Sequence, residues 1–271
     1  KVYKIDWRQG VEEGRISQEK IDEFRDNMDP VMFGILYDCE FPSGDNVETG
    51  GWMRLLSDND IEAASSRTVE YAGEKILGVD VGGGVNFTAL VVRYDNCAKI
   101  LDKFLERDPQ KTAERIRDAI IKEGILPENV FIDRVGTGSG IPSMLQTMRL
   151  TVNGINAGEK VEGNEKNPVE YMNQKAQMFW RVKEWVRQGG SLESNKDWFQ
   201  LSKIRYRENS ERRIQIMPKE IMRARGYISA SESPDVADAL ALTFAESKII
   251  KVWGNASEPI GAFYGDREMP F

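Results

Sequence analysis

Ile76-Leu77-Gly78-Val79-Asp80-Val81-Gly82-Gly83-Gly84 is an apolar, strand-like run that reaches an aspartate and gives way to glycines. Two further runs, Thr88–Tyr94 and Ala98–Glu106, follow after short breaks, which predicts an antiparallel meander. Pro109–Glu123 carries Ala113, Ile116 and Ile120 on one helical face, and Gly124 stops it. The segment Val130-Phe131-Ile132-Asp133-Arg134-Val135-Gly136 repeats the opening pattern, a short buried strand with an aspartate before glycines. A right-handed crossover from the meander lays this strand parallel to Ile76–Val81. Asp80 and Asp133 are then expected side by side at the carboxyl ends of neighbouring strands, where open α/β sheets place their sites. The expected fold class is α/β, a mixed sheet flanked by helices.

Outward from this centre, Ile141–Met148 is predicted as a helix opened by Pro142, and Leu150–Ile155 as a strand. Val169–Gln188 is predicted as a long helix, with Met172, Ala176, Phe179 and Val186 on one face and Gly189-Gly190 at its end. Trp180 and Trp185 on it read as core or interface aromatics. Ile204–Tyr206 and Arg213–Met217 can pair as a hairpin around Glu208-Asn209-Ser210-Glu211, and a final helix runs from about Pro234 to Ile250. Towards the amino terminus, Ser17–Met28 has a Ser cap, acids in its first turn and apolar Ile21, Phe24 and Met28, the pattern of a short amphipathic helix. Phe33–Phe41 is a mixed apolar stretch before a Pro42-Ser43-Gly44-Asp45 turn signal. Residues 1–70 read as an extension or the tail of a preceding domain, 71–250 as the main domain and 251–271 as a tail.

At 271 residues the chain can bury a substantial core, and 40% apolar with 30% charged residues is ordinary globular composition. No apolar run approaches the roughly 20 residues that span a bilayer, and no signal peptide opens the chain, so neither a membrane partner nor secretion is expected. The first residue, Lys1, suggests a piece of a longer protein. Cys39 and Cys97 make no disulfide framework, and without any histidine a zinc centre of the His/Cys type is excluded. A net charge of −7, from 44 acidic and 37 basic residues, does not by itself favour a nucleic-acid partner. Lys203, Arg205, Arg207, Arg212, Arg213, Lys219, Arg223 and Arg225 nonetheless form a locally basic stretch. Two readings of it stay open, a groove lining and a solvated hairpin face.

A third acidic segment, Ser233-Pro234-Asp235-Val236-Ala237-Asp238-Ala239-Leu240, places two aspartates at the start of an amphipathic helix, with Ser233 the expected N-cap and Pro234 the first helical residue. Taken singly, each acid has a plain role. An aspartate beside glycine forms turns, and an acid in a first helical turn complements the dipole by about 0.3–1 kcal/mol. Taken together, in a chain without histidine, they suggest a site for hard divalent cations, which prefer oxygen ligands. Crowded carboxylates oppose one another's ionisation, and a bound dication reverses that cost. Two such ions, about 4 Å apart, serve phosphodiester hydrolysis. The glycines of Gly82–Gly84 and Gly136–Gly140 match no phosphate-loop pattern and read as tight turns that let a substrate backbone approach.

Asp80 before glycines, Ile132-Asp133-Arg134-Val135-Gly136-Thr137-Gly138 and the Ser233–Leu240 segment resemble the C-terminal nuclease domain of tailed-bacteriophage large terminase subunits, which are DNA-packaging proteins. Arg213-Ile214-Gln215-Ile216-Met217-Pro218-Lys219-Glu220, the following Arg225-Gly226, and Asn173-Gln174-Lys175-Ala176-Gln177-Met178-Phe179-Trp180 carry the same resemblance, which covers roughly residues 70–250. It implies an RNase H-like fold and an endonuclease that cuts concatemeric viral DNA during genome packaging, with two Mg²⁺ or Mn²⁺ ions and little sequence specificity. It implies Asp80, Asp133 and Asp235 as principal metal ligands, with Asp238 a further catalytic and metal candidate. Some members carry an Asp pair where this chain has Pro234-Asp235, so the division of labour between Asp235 and Asp238 stays open. Some place a histidine near the third carboxylate; here a base role falls to metal-bound water or another group.

On this reading Lys203, Arg205, Arg207, Arg212, Arg213 and Lys219 are candidate DNA-facing cations, Lys219 a candidate phosphate contact. The resemblance also implies double-stranded viral DNA as substrate, with a portal protein and small terminase subunit as partners of the full-length protein, in the host cytoplasm. Residues 1–70 then become a linker from a preceding ATPase domain, and this chain alone is not expected to translocate DNA. Two other readings stay open. One is a sugar-kinase or Hsp70-like phosphotransferase or ATPase lobe, whose phosphate loop also follows a strand aspartate but which needs two similar lobes. The other is a non-catalytic docking module of a packaging machine, with Lys251–Phe271 as the partner-binding peptide.

Overall fold

A computed structural model describes residues 5–27, 30–40, 47–48, 51–161 and 170–247. Helices α1 (Trp7–Glu12), α2 (Gln18–Asn27) and α3 (Pro30–Leu36) open the chain, followed by strands β1 (Val47–Glu48) and β2 (Trp52–Arg54) and helix α4 (Asp58–Ser65). Strands β3 (Ile76–Asp80), β4 (Thr88–Arg93) and β5 (Cys97–Phe104) lead to α5 (Pro109–Glu123), β6 (Val130–Asp133), α6 (Ile141–Thr147) and β7 (Asn153–Ile155). Then come β8 (Glu170–Tyr171), α7 (Gln174–Arg187), β9 (Ser191–Leu192), a 3-10 segment over Lys196–Lys203, β10 (Arg205–Glu208), β11 (Arg213–Ile216), α8 (Lys219–Ala224) and α9 (Asp235–Leu242).

Six strands form the central sheet in the order β7-β6-β3-β4-β5-β9. The β3–β4–β5 meander is antiparallel, and β6 lies parallel to β3 with Val79 opposite Ile132. The chain therefore has the expected α/β, RNase H-like mixed sheet flanked by helices. A second sheet, β1-β2-β10-β11-β8, carries the predicted hairpin β10–β11.

Side chains alternate across a strand, so each strand of the central sheet feeds two cores. Leu77, Val79, Val130 and Ile132 join Ala113, Ile116 and Ile120 of α5 and Ile141 and Leu145 of α6 on one face. Ala89, Val91 and Phe131 meet Phe179 of α7 and Val236 and Leu240 of α9 on the other, a core continuous with Tyr206 and Ile214 of the second sheet. The same parity puts Gly78, Asp80 and Asp133 on the α9 side. Gly78 sets the spacing there: a Cβ on it would stand 1.9 Å from the Ala239 carbonyl oxygen. Only glycine allows α9 so close to β3.

Several elements depart from the sequence reading. The long helix starts at Gln174, because Asn173 accepts from the Ala176 amide (3.0 Å) and caps it, while Glu170–Tyr171 pair parallel with β11. Val169 lies outside the described residues. Helix α9 stops at Leu242 with Thr243 as C-cap, whose carbonyl accepts from the Arg93 guanidinium (2.9 Å). Pro234, not Ser233, is the N-cap, with no side-chain cap of its own. The apolar stretch from Phe33 continues a helix already under way, and the strand expected from Leu150 narrows to β7. Trp52, Met53, Leu55, Leu56, Ile61 and Ala64 belong to the α9-side core. The Pro42–Asp45 turn signal and the 251–271 tail lie outside the described residues. Among the described residues, no helix is long and apolar enough to cross a membrane.

Candidate active site

Asp80 closes β3 and Asp133 closes β6, on the rung that follows Val79 opposite Ile132. Helix α9 brings Asp235 and Asp238 to the same end of the sheet. Asp80, Asp133 and Asp238 line a cavity of about 60 Å³ with Lys175 and Lys219, and Asp235 lines a larger groove of about 460 Å³. Asp80 is 8% exposed and Asp235 3%. Asp133 Oδ1 accepts from the Val135 amide at 3.0 Å, the local turn expected of an aspartate before glycine. Asp235 Oδ2 accepts from the Phe87 amide at 3.2 Å, whereas its Oδ1 is buried without a hydrogen-bond partner.

Two lysines complete the cluster. Lys175 Nζ lies 3.1 Å from Asp238 Oδ1 and Lys219 Nζ 2.8 Å from Asp238 Oδ2. Lys219 also donates to Ser233 Oγ at 3.1 Å. Burial pushes the Asp80 carboxyl well above the usual carboxylate range, and the Asp238 charge adds to the effect. Burial likewise raises Asp133 and Asp235, against the Val135 amide at one and Ser233 at the other. Burial opposes ionisation of Asp238 too, but Lys175 and Lys219 outweigh it and hold this carboxyl below its ordinary value. The Lys219 ammonium is raised despite its own burial, by Asp238 first and then Asp80. Two ammoniums thus sit among mutually repelling carboxylates.

Among the described residues, no three carboxylate or cysteine side chains stand ready-made around an ion. The donor set nonetheless suits a hard dication: oxygen ligands only, one buried carboxylate oxygen unpaired, and repulsion at Asp80 that a dication relieves.

Positioning comes from outside the acidic segments. Gln200 Oε1 accepts from the Val236 amide (2.8 Å) and the Ala237 amide (3.4 Å), and so caps α9 where Pro234 cannot. The Gly82–Phe87 loop carries the Phe87 amide to Asp235. Gly83 has φ +60°, and a Cβ there would meet the Thr137 side chain at 2.5 Å. Thr137 Oγ1 donates to the Val81 carbonyl at 2.9 Å, tying the glycine loops after Asp80 and Asp133 together.

The six cations singled out from sequence end in different places. Lys219 joins the carboxylates. Lys203 is exposed on the groove that Asp235 lines. Arg205 is 4% exposed, donates to the Ser202 carbonyl and stacks over Tyr227, so it cannot present its charge to a partner. Arg207 stacks over Trp52 and donates to Gln215, and Arg213 pairs with Glu211; with exposed Arg212 they belong to the β10–β11 hairpin. Lys175, Gln200 and the Phe87 amide were not singled out from sequence. Lys175 stands inside the Asn173–Trp180 segment, two residues from the Asn173 cap, whereas nothing local marks Gln200.

No protein-family model matches the chain, and no curated protein matches it either. Among solved structures, the fold is shared with the nuclease domain of the large terminase subunit gp2 of bacterial virus Sf6. The TM-score is 0.60 at 17% identity, over 71% of this chain and 99% of that one. A mutant of that nuclease domain with manganese gives 0.59 at 16% identity, and a mutant with calcium 0.59 at 17%, both over the same shares. At these identities the likeness is one of fold.

Proposed function

We propose that this chain is a divalent-metal-dependent DNA endonuclease that cuts concatemeric viral DNA during genome packaging, with little sequence preference. The observation that carries this reading is the meeting of Asp80, Asp133, Asp235 and Asp238 at one end of a terminase-nuclease-like fold, with Asp235 Oδ1 buried and unpaired. Asp80, Asp133 and Asp235 would hold two Mg²⁺ or Mn²⁺ ions. When bound, such ions activate water and stabilise the leaving oxygen of a phosphodiester. Asp238 is the fixed anion of the site, clamped by Lys175 and Lys219, and it keeps the Lys219 ammonium within reach of a phosphate oxygen. The Phe87 amide and Gln200 fix the angle of Asp235. Lys203, and Arg207, Arg212 and Arg213 on the hairpin, are the cations left to contact the DNA backbone. Double-stranded viral DNA as substrate, a portal protein and small terminase subunit as partners of a longer protein, and the host cytoplasm belong to the same proposal.

The test is cleavage of supercoiled plasmid by the purified chain with Mn²⁺, Mg²⁺ or EDTA. Nicking and linearisation with metal, lost in EDTA and reduced at least about a hundredfold in Asp80→Ala and Asp235→Ala, is the expected result. A folded chain that cuts with neither metal sinks the reading.

A further inference from the structure

We infer that the groove beside Asp235 takes unpaired nucleotides of a single DNA strand, with Phe87 as the surface on which a base stacks. The inference rests on the nuclease reading of the neighbouring carboxylates. It starts from a groove of about 460 Å³ that the Gly82–Phe87 loop and the 3-10 segment Lys196–Lys203 enclose next to Asp235. Its rim is unusually apolar for a charged surface: Val85 is 85% exposed, Leu105 55% and Phe87 40%. Such a cluster marks a binding surface more than a scatter of single residues does. The same groove carries three lysines, Lys103, Lys196 and Lys203, beside the acids Asp197, Glu232 and Asp235. Lys196 and Lys203 are exposed and make no ion pair among the described residues. Lys103 stands with its ammonium 4.9 Å from the centre of the Phe87 ring while it pairs with Asp197.

Geometry ties this surface to the chemistry. The Phe87 amide donates to Asp235 Oδ2, so the backbone that carries the ring is held beside a carboxylate of the site. A fully paired duplex offers phosphates to the lysines but hides the faces of its bases, and leaves Val85 and Phe87 nothing apolar to meet. An unpaired strand offers both. Aromatic side chains beside lysines that are free to meet phosphates are the arrangement that holds single strands without sequence preference. A protein partner would also cover an apolar rim, but the exposed Lys196 and Lys203 favour a polyanion.

The measurement is fluorescence anisotropy of labelled single-stranded and blunt duplex oligonucleotides of one sequence, with the full chain in EDTA. It is paired with Mn²⁺ cleavage of duplexes with and without an internal unpaired stretch. The single strand is expected to bind about tenfold more tightly than the duplex. Phe87→Ala should lose about tenfold on the single strand and little on the duplex, and Phe87→Trp should retain binding. Lys203→Ala should flatten the salt dependence by about one phosphate contact. With Mn²⁺, the unpaired stretch should speed cleavage by the unsubstituted chain and not by Phe87→Ala. Equal affinities, including no binding of either, overturn the inference. So does single-strand binding that Phe87→Ala leaves unchanged, which would hand the rim to a protein partner. Strand binding that depends on Phe87 without any cleavage keeps the groove and counts against the nuclease reading; cleavage indifferent to Phe87 does the reverse.

Discussion

At the scale of single residues, the candidate site is a balance of charge held at a cost. Asp80 is buried among like charges, and burial together with Asp238 opposes its ionisation. Asp80→Asn removes that repulsion while keeping the shape. The variant is expected to melt higher than the unsubstituted chain in EDTA at neutral pH, by about 2–4 °C for each kcal/mol relieved. It should lose both cleavage and the stabilisation by Mg²⁺ or Mn²⁺, read by thermal melting with and without metal. Lys219 is the converse case. Lys219→Ala strips one of two ammoniums from Asp238, and Lys175 remains at 3.1 Å. The expected cost in EDTA is about 1–3 kcal/mol by urea denaturation, below that of a buried pair broken outright. A lysine that served only as an exposed phosphate contact would leave stability unchanged.

At the scale of elements, the site depends on how α9 lies against β3. Gly78 permits the contact, since a Cβ would run into the Ala239 carbonyl. Gly78→Val should therefore push the helix off the strand, destabilise the fold by about 1–3 kcal/mol or more, and reduce cleavage although every carboxylate is intact. Chemical denaturation and the plasmid assay on one preparation separate the two effects. Gln200 acts on the same helix from the 3-10 segment. Gln200→Ala leaves the Val236 and Ala237 amides uncapped and is expected to cost about 0.5–2 kcal/mol. It should slow cleavage by the loosened hold on Asp235, and Gln200→Glu, which keeps an acceptor, should recover the stability.

At the scale of the whole molecule, these charges set a pH dependence. Asp80, Asp133 and Asp235 have folded-state values above their ordinary ones, so between the two the native state binds more protons than the unfolded chain. Metal-free stability then falls as pH rises through that window. Asp238 runs the other way: its depressed value adds stability above the ordinary carboxylate range, lost on acidification. A dication held at these carboxylates would offset the first effect and compete with protons for the same oxygens. The rise in melting temperature on adding Mg²⁺ is therefore expected to be larger near neutral pH than in mild acid, and a rise independent of pH would contradict this account. The sequence by itself determined the strands that end at Asp80 and Asp133, their parallel placement, the helix bounded by Pro109 and Gly124, and the acids at the start of α9. All of these follow from apolar periodicity and from glycine and proline, which act within a few residues. Only the tertiary structure decided that Arg205 is buried, that Lys219 and Lys175 clamp Asp238, that Gln200 caps α9, and that Trp52–Arg54 adds a strand to a second sheet. Those pairings join residues far apart in the chain, and what brings them together is close packing of helices across a sheet, which no local pattern encodes.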